Sequence, residues 1–164
     1  RYRNVTGVQT CALPICPVVA DGRDLFVVGF QGRVAQISLD SGQIWWSRDA
    51  SSYRGLALAG DSLIVSSADS KVVALSRKDG TERWTQEALA RRGITRPAVD
   101  GDAIVVADFQ GVVHWLDRGT GEIIGRADTA RKARVTTAPL AVDGMVYVQN
   151  DAGQVFALRA RPRS

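Results

Sequence analysis

Cysteine, histidine and long apolar runs are what this sequence has least of, and each shortage removes a class of function. The two cysteines, Cys11 and Cys16, both fall in the first sixteen residues. The rest of the chain therefore has no thiol for a disulfide framework or a thiolate metal site. One histidine, His114, is the whole imidazole supply, and no His-x-x-x-His, Cys-x-x-Cys or Walker-type glycine loop occurs. Metal-ligand spacing is missing with them. No apolar stretch approaches the ~20 residues of a spanning helix. A dominant charge sign is missing too. The formal charge is +4, and setting aside Arg1 and Arg3 lowers the 21 basic residues to two more than the 17 acids. That balance gives no footing for a nucleic-acid-binding surface.

Residues 1–16 share no pattern with the rest of the chain. They resemble a translated sequencing-adapter read-through, and we set them aside from fold reasoning as foreign to the domain. The Asn4-Val5-Thr6 sequon goes with them, and no disulfide is inferred between Cys11 and Cys16. On this reading the chain is the C-terminal piece of a longer protein.

From Pro17 a unit of about forty residues recurs four times. Its first landmark glycine is Gly22, Gly60, Gly101 and Gly144, with gaps of 38, 41 and 43 residues. A second landmark follows at Gly32, Ser70, Gly111 and Gly153, and a third at Gly42, Gly80 and Gly121, ten residues after the second. Four residues further on stand Trp46 and Trp84, with Gly125 in that place in the third unit. Between landmarks lie short apolar runs such as Leu25–Val28, Leu63–Val65, Ile104–Val106 and Met145–Val148. Runs of this length bounded by Gly and Asp read as buried strands, and the glycines supply the positive φ of tight hairpins. The pattern predicts an all-β chain, with four antiparallel strands per unit arranged as blades of a partial β-propeller. The blades are expected at about 17–50, 53–88, 95–129 and 135–158, followed by a basic tail, 159–164. The nearest thing to a helix, Thr85 to Arg92, reads as a strand end plus loop.

Trp46 and Trp84 are expected to wedge between neighbouring sheets, where a large aromatic fills the gap. Trp45, Trp115 and His114 are expected to be packing residues. Asp21, Asp61, Asp100, Asp102 and Asp143 recur beside the first landmark, and repetition in every unit argues for turn chemistry, with carboxylates capping local N–H groups, rather than catalysis. The exposed features with asymmetry are basic loops: Arg91, Arg92 and Arg96 in one connection and Arg131, Lys132 and Arg134 in the next. Loops on a rigid frame carry binding, so these are the candidate partner-binding residues. No catalytic, cofactor or metal residue is assigned.

Ser-Gly-Gln-Ile-Trp-Trp-Ser-Arg (41–48), Asp-Gly-Thr-Glu-Arg-Trp-Thr-Gln (79–86) and Gly-Val-Val-His-Trp-Leu-Asp (111–117) resemble the pyrroloquinoline-quinone-type propeller repeat. With the His-Trp pair and the stretch from Thr136 through Pro139 and Leu140 to Asp143-Gly144, the chain more closely resembles the BamB family of outer-membrane propeller lipoproteins. The resemblance implies an eight-bladed propeller, here its last four blades, the final one lacking its outermost strand. It also implies a non-catalytic scaffold on the periplasmic face of the outer membrane. The partner would be the BamA-like central component of the β-barrel assembly complex, and no cofactor is expected. The family's lipid anchor and main docking residues would lie ahead of Pro17. The rival implied by the same repeat is a fragment of a quinone-dependent dehydrogenase. That enzyme needs a calcium site, a catalytic Asp and usually adjacent cysteines, none of which is visible in the repeats.

Overall fold

The structure, a computed structural model, describes residues 18–29, 32–129 and 133–160. The stretch 1–16, the end of the basic tail, Arg131 and Lys132 lie outside the described residues. Every regular element among those described is a strand. The first sheet comprises β1 (Val19–Asp21), β2 (Asp24–Val28), β3 (Arg33–Ser38) and β4 (Ile44–Asp49). The second comprises β5 (Leu56–Ala59), β6 (Ser62–Ser66), β7 (Val72–Ser76) and β8 (Glu82–Gln86). The third comprises β9 (Ala98–Asp100), β10 (Ala103–Ala107), β11 (Val112–Asp117) and β12 (Ile123–Asp128). The fourth has three strands, β13 (Leu140–Val142), β14 (Met145–Gln149) and β15 (Val155–Leu158). Each sheet is an antiparallel meander in sequence order. The first strands β1, β5, β9 and β13 neighbour one another in turn, so they form the inner wall and the later strands fan outward. The chain is a partial β-propeller.

The core lies between sheets rather than within one. Phe26, Val28 and Val34 pack on Leu56, Leu63 and Val65. Ile64, Val72 and Trp84 pack on Ile104, Val106 and Leu116. Val105, Val113 and Trp115 pack on Val146 and Val148. Adjacent residues Leu63 and Ile64 thus belong to opposite interfaces, as the two-residue period of a strand requires. β6 and β10 are buried at every position, because a sheet lies on each side. Among the described residues the fourth sheet is covered on one side only, and β14 alternates buried and exposed.

The indoles tie each sheet to the next. Trp46 Nε1 donates to the Arg77 carbonyl at 3.0 Å, and Trp84 Nε1 donates to the Arg118 carbonyl at 3.0 Å. Their rings lie on the third-landmark glycines of the following sheet. A Cβ at Gly80 would come within 2.5 Å of the Trp46 ring, and one at Gly121 would strike Trp84. Both glycines also hold positive φ, +70° and +76°. Only glycine satisfies the backbone and the close approach together.

Two expectations need correction. Trp45 is 54% exposed, not packed. It is the extra residue of a β-bulge opposite Gln36 and Ile37, and Arg83 and Ile124 sit at the same bulge in the second and third sheets. A bulge re-aims one side chain, and all three of these point to solvent. The carboxylates beside the first landmark do not cap their turns. The two-residue turns Gly22-Arg23, Gly60-Asp61 and Gly101-Asp102 close directly onto paired strand ends, with positive φ at the glycine only. Asp21 instead pairs with Arg77 of the next sheet at 2.5 Å, and Asp102 pairs with Arg118 at 2.7 Å. Capping occurs at the later turns. Asp79 Oδ1 accepts from the Thr81 N–H and hydroxyl, which hold its carboxyl at about 2, and Asp117 Oδ1 accepts from Gly119 and Thr120.

Candidate interaction surface

Meander topology sorts the loops onto two rims. The turns after the first and third strands, which hold Asp21, Asp61, Asp102 and Asp143 and then Asp40, Asp79 and Asp117, share one rim. The turns after the second strands and the connections between sheets share the other, which we call the loop face. The described basic candidates of the connections, Arg91, Arg92, Arg96 and Arg134, belong to the loop face. A repeated hydrogen bond fixes each connection to the turn of the sheet that follows it. Ala68 N donates to Ser51 O, Phe109 N to Arg92 O and Asp151 N to Arg134 O, at 2.8, 3.1 and 2.8 Å.

The turns of the loop face open on a cap residue. Ser67 Oγ accepts from Lys71 N, Asp108 Oδ1 from Gln110 N and Val112 N, and Asn150 Oδ1 from Ala152 N and Gln154 N. Asp108 is the charged member, and its side chain is fully buried. Its other oxygen, Oδ2, accepts Arg92 Nε at 2.7 Å, Arg92 Nη2 at 2.7 Å and His114 Nε2 at 2.9 Å. Burial pushes the Asp108 carboxyl up, but the hydrogen bonds from His114, Val112, Arg92 and Gln110 outweigh it and hold the group at about 2. His114 is 1% exposed, and with Nε2 facing the carboxylate its Nδ1 has no partner among the described residues. A pocket of about 270 Å³ lies beside it, lined by Arg92, Val112, His114, Arg126, Ala127 and Asp128.

A second cluster joins three connections. Phe109, 36% exposed, follows Asp108 and lies over Gly93, where a Cβ would come within 2.5 Å of the ring. The Arg54 guanidinium stands 5.1 Å from the Phe109 ring centre and 4.9 Å from that of Tyr53. Arg134 stands 5.8 Å from the same Phe109 ring. Arg54 Nε is buried without a hydrogen-bond partner, and neither Arg54 nor Arg134 is ion-paired among the described residues.

The four described basic candidates thus separate. Arg92 clamps Asp108, and Arg96 Nε donates to the Leu56 carbonyl at 2.8 Å, so both act as ties within the frame. Arg91 is exposed at φ +63°, and Arg134 is exposed beside Phe109. The sequence pattern did not single out Asp108, Phe109 or Arg54. A signal for Asp108 was available, since it occupies the place of Ser67 and Asn150 in a turn repeated three times. Nothing in the pattern marked Phe109 or Arg54. Among the described residues no group of three or more His, Cys, Asp or Glu side chains is disposed to hold a metal ion.

The family model for outer membrane protein assembly factor BamB matches residues 11–86 and 68–162. The chain belongs to the BamB family. The first match starts at residue 11, inside the adapter-like stretch. The chain is 35% identical over 134 residues to BamB of Shewanella oneidensis, covering 82% of this chain and 34% of that one. It is also 35% identical over 144 residues to BamB of Pseudomonas aeruginosa, covering 88% and 38%. A crystal structure of BamB from Moraxella catarrhalis superposes with a TM-score of 0.80 at 31% identity, covering 87% of this chain and 42% of that one. The chain therefore spans about a third of the length of the curated BamB relatives. Quinohemoprotein alcohol dehydrogenase from Comamonas testosteroni, at 17% identity and TM-score 0.68, shares the fold, so the blade architecture serves enzymes as well as assembly factors.

Proposed function

We propose that this chain is a segment of a non-catalytic scaffold subunit of the outer-membrane β-barrel assembly complex. It works at the periplasmic face of the outer membrane, as part of an eight-bladed propeller, and binds the BamA-like central barrel component. The observation that carries the reading is the BamB match along nearly the whole chain, at about 35% identity to named assembly factors. Two features support it. Several polar groups of the loop face are spent on bracing the frame, as the Asp108 cluster and the Ser51, Arg92 and Arg134 carbonyls are. The fourth sheet also keeps an apolar outer face, with Leu140, Val142, Tyr147 and Val155 exposed on it. That is what blades covered by further blades would leave. Within the scaffold, Arg91, Arg134 and the adjoining Arg131 and Lys132 are proposed as partner-facing, with Arg92 and Arg96 bracing them.

The experiment is co-purification of the chain, in the context of its full-length parent, with the barrel component. It is run beside a turnover assay with added pyrroloquinoline quinone and calcium. Capture of the barrel component without quinone-dependent dye reduction is the expected result. Saturable quinone binding with turnover, and no capture, would overturn it.

A further inference from the structure

Phe109 and the two guanidiniums around it keep binding capacity that the fold does not use. A ring that served packing alone would be covered, yet Phe109 is 36% exposed. Arg92 is spent on Asp108 and Arg96 on the Leu56 carbonyl, whereas Arg54 and Arg134 meet no carboxylate among the described residues. They come from different connections, the first-to-second and the third-to-fourth, and converge on one ring held by a turn that is itself pinned through Asp108. Stacking on an aromatic face fixes the plane of a guanidinium while leaving its N–H edge open, and that edge matches the two oxygens of a carboxylate.

We propose that Arg54, Phe109 and Arg134 form a docking site on the loop face for an acidic segment of a partner protein, with a carboxylate on each guanidinium and an apolar side chain on the Phe109 ring. The inference rests on the reading of the chain as a protein-binding scaffold and adds the chemistry of the bound segment. A protein carboxylate is favoured over an anionic lipid surface because the cations are few, planar and placed around one ring. A polybasic strip or an amphipathic apolar helix, which membrane surfaces attract, has no counterpart among the described residues.

The test uses the full chain and a fluorescein-labelled peptide, Glu-Leu-Glu-Gly-Glu-Leu-Glu, read by anisotropy at physiological ionic strength, with the Gln-for-Glu peptide beside it. Arg54→Gln and Arg134→Gln should each weaken binding about tenfold, the loss of one charge-assisted contact. Arg134→Lys should lose most of the binding despite keeping the charge. Arg23→Gln, on the opposite rim in an exposed pair with Asp40, should change nothing. Circular dichroism checks that each variant folds, and exposed Arg134 keeps the test sound should Arg54→Gln misfold. Equal weakening by Arg23→Gln, equal binding of the Gln peptide, no saturable binding, or capture by phosphatidylglycerol vesicles instead of the peptide would each overturn the site. Co-purification with the barrel component is scored separately. Its persistence alongside failed peptide binding sinks this inference alone, and its loss alongside retained peptide binding sinks only the assembly reading.

Discussion

Trp115 stands directly opposite Gly125 across the β11–β12 ladder, whereas the second sheet places Ala74 opposite Trp84 at the same rung. The third sheet has moved its indole one strand inward. Trp115 is 4% exposed and packs with Val135, Val146 and Val148, and a Cβ added at Gly125 would lie at ordinary van der Waals distance, 3.8 Å, from the Trp115 Cβ. The pair keeps one indole and one small residue, in exchanged positions, so the gap to the next sheet stays filled. What changes is the hydrogen bond, since Trp115 Nε1 lacks the carbonyl that Trp46 and Trp84 reach.

This exchange predicts a compensating double substitution. Trp115→Ala should destabilise the chain by about 3–5 kcal/mol through lost burial and a cavity. Adding Gly125→Trp should recover a large part of that loss. Urea unfolding of the two single variants and the pair, read as a double-mutant cycle, measures the coupling. Strictly additive effects would mean that the two positions do not share one gap.

The Trp46–Gly80 contact separates backbone strain from steric conflict. Gly42→Ala, at φ +71° with nothing near its Cβ, should cost about 1–2 kcal/mol from left-handed strain alone. Gly80→Ala has nearly the same φ but meets the Trp46 ring, so it should cost roughly twice as much. Equal losses in chemical denaturation would show that the indole moves aside freely.

Acid should weaken the Asp108 cluster within a definite window. Its folded carboxyl is held at about 2, below the ordinary aspartate value of 3.8. The stabilisation, about 2 kcal/mol, is therefore fully present above pH 4 and lost as pH falls towards 2. Asp108→Asn should lower stability at pH 7 by about 3 kcal/mol or more, because the Arg92 guanidinium and buried His114 lose their shared acceptor. The variant should also unfold without the acid-dependent step below pH 4. Denaturant melts from pH 2 to pH 7 on both proteins check the sign and the window.

The outer face of the fourth sheet should mediate self-association. Leu140, Val142, Tyr147 and Val155 are 61%, 46%, 41% and 67% exposed and share one face of β13–β15. Contiguous apolar surface of that kind associates. Leu140→Lys with Val155→Lys should lower the sedimentation-detected oligomer fraction while leaving the free energy of urea unfolding within about 0.5 kcal/mol of its original value. An unchanged oligomer fraction would place the contact elsewhere.

The repeat, the strand content and the blade-to-blade role of Trp46 and Trp84 were legible in the sequence because each depends on local pattern. A glycine every ten residues marks a hairpin, an apolar run of four marks a strand, and an indole at a fixed offset recurs with the unit. What the pattern left unread depends on partners distant along the chain. Whether a carboxylate caps its turn or pairs elsewhere turned on the length of the turn: residues 22–23 join β1 to β2 and leave Asp21 to Arg77, while longer turns leave capping to Asp79, Asp108 and Asp117. Trp45 and Trp46 are neighbours of identical chemistry, and a bulge sends one to solvent and the other onto Gly80. Arg92 and Arg134 look alike in their loops, yet one is consumed by Asp108 and the other flanks Phe109. Repetition along the chain determined the kind of fold. The convergence of three connections on one rim, decided by how the twisted sheets stack, determined which of the charged and aromatic side chains remain free to meet another molecule.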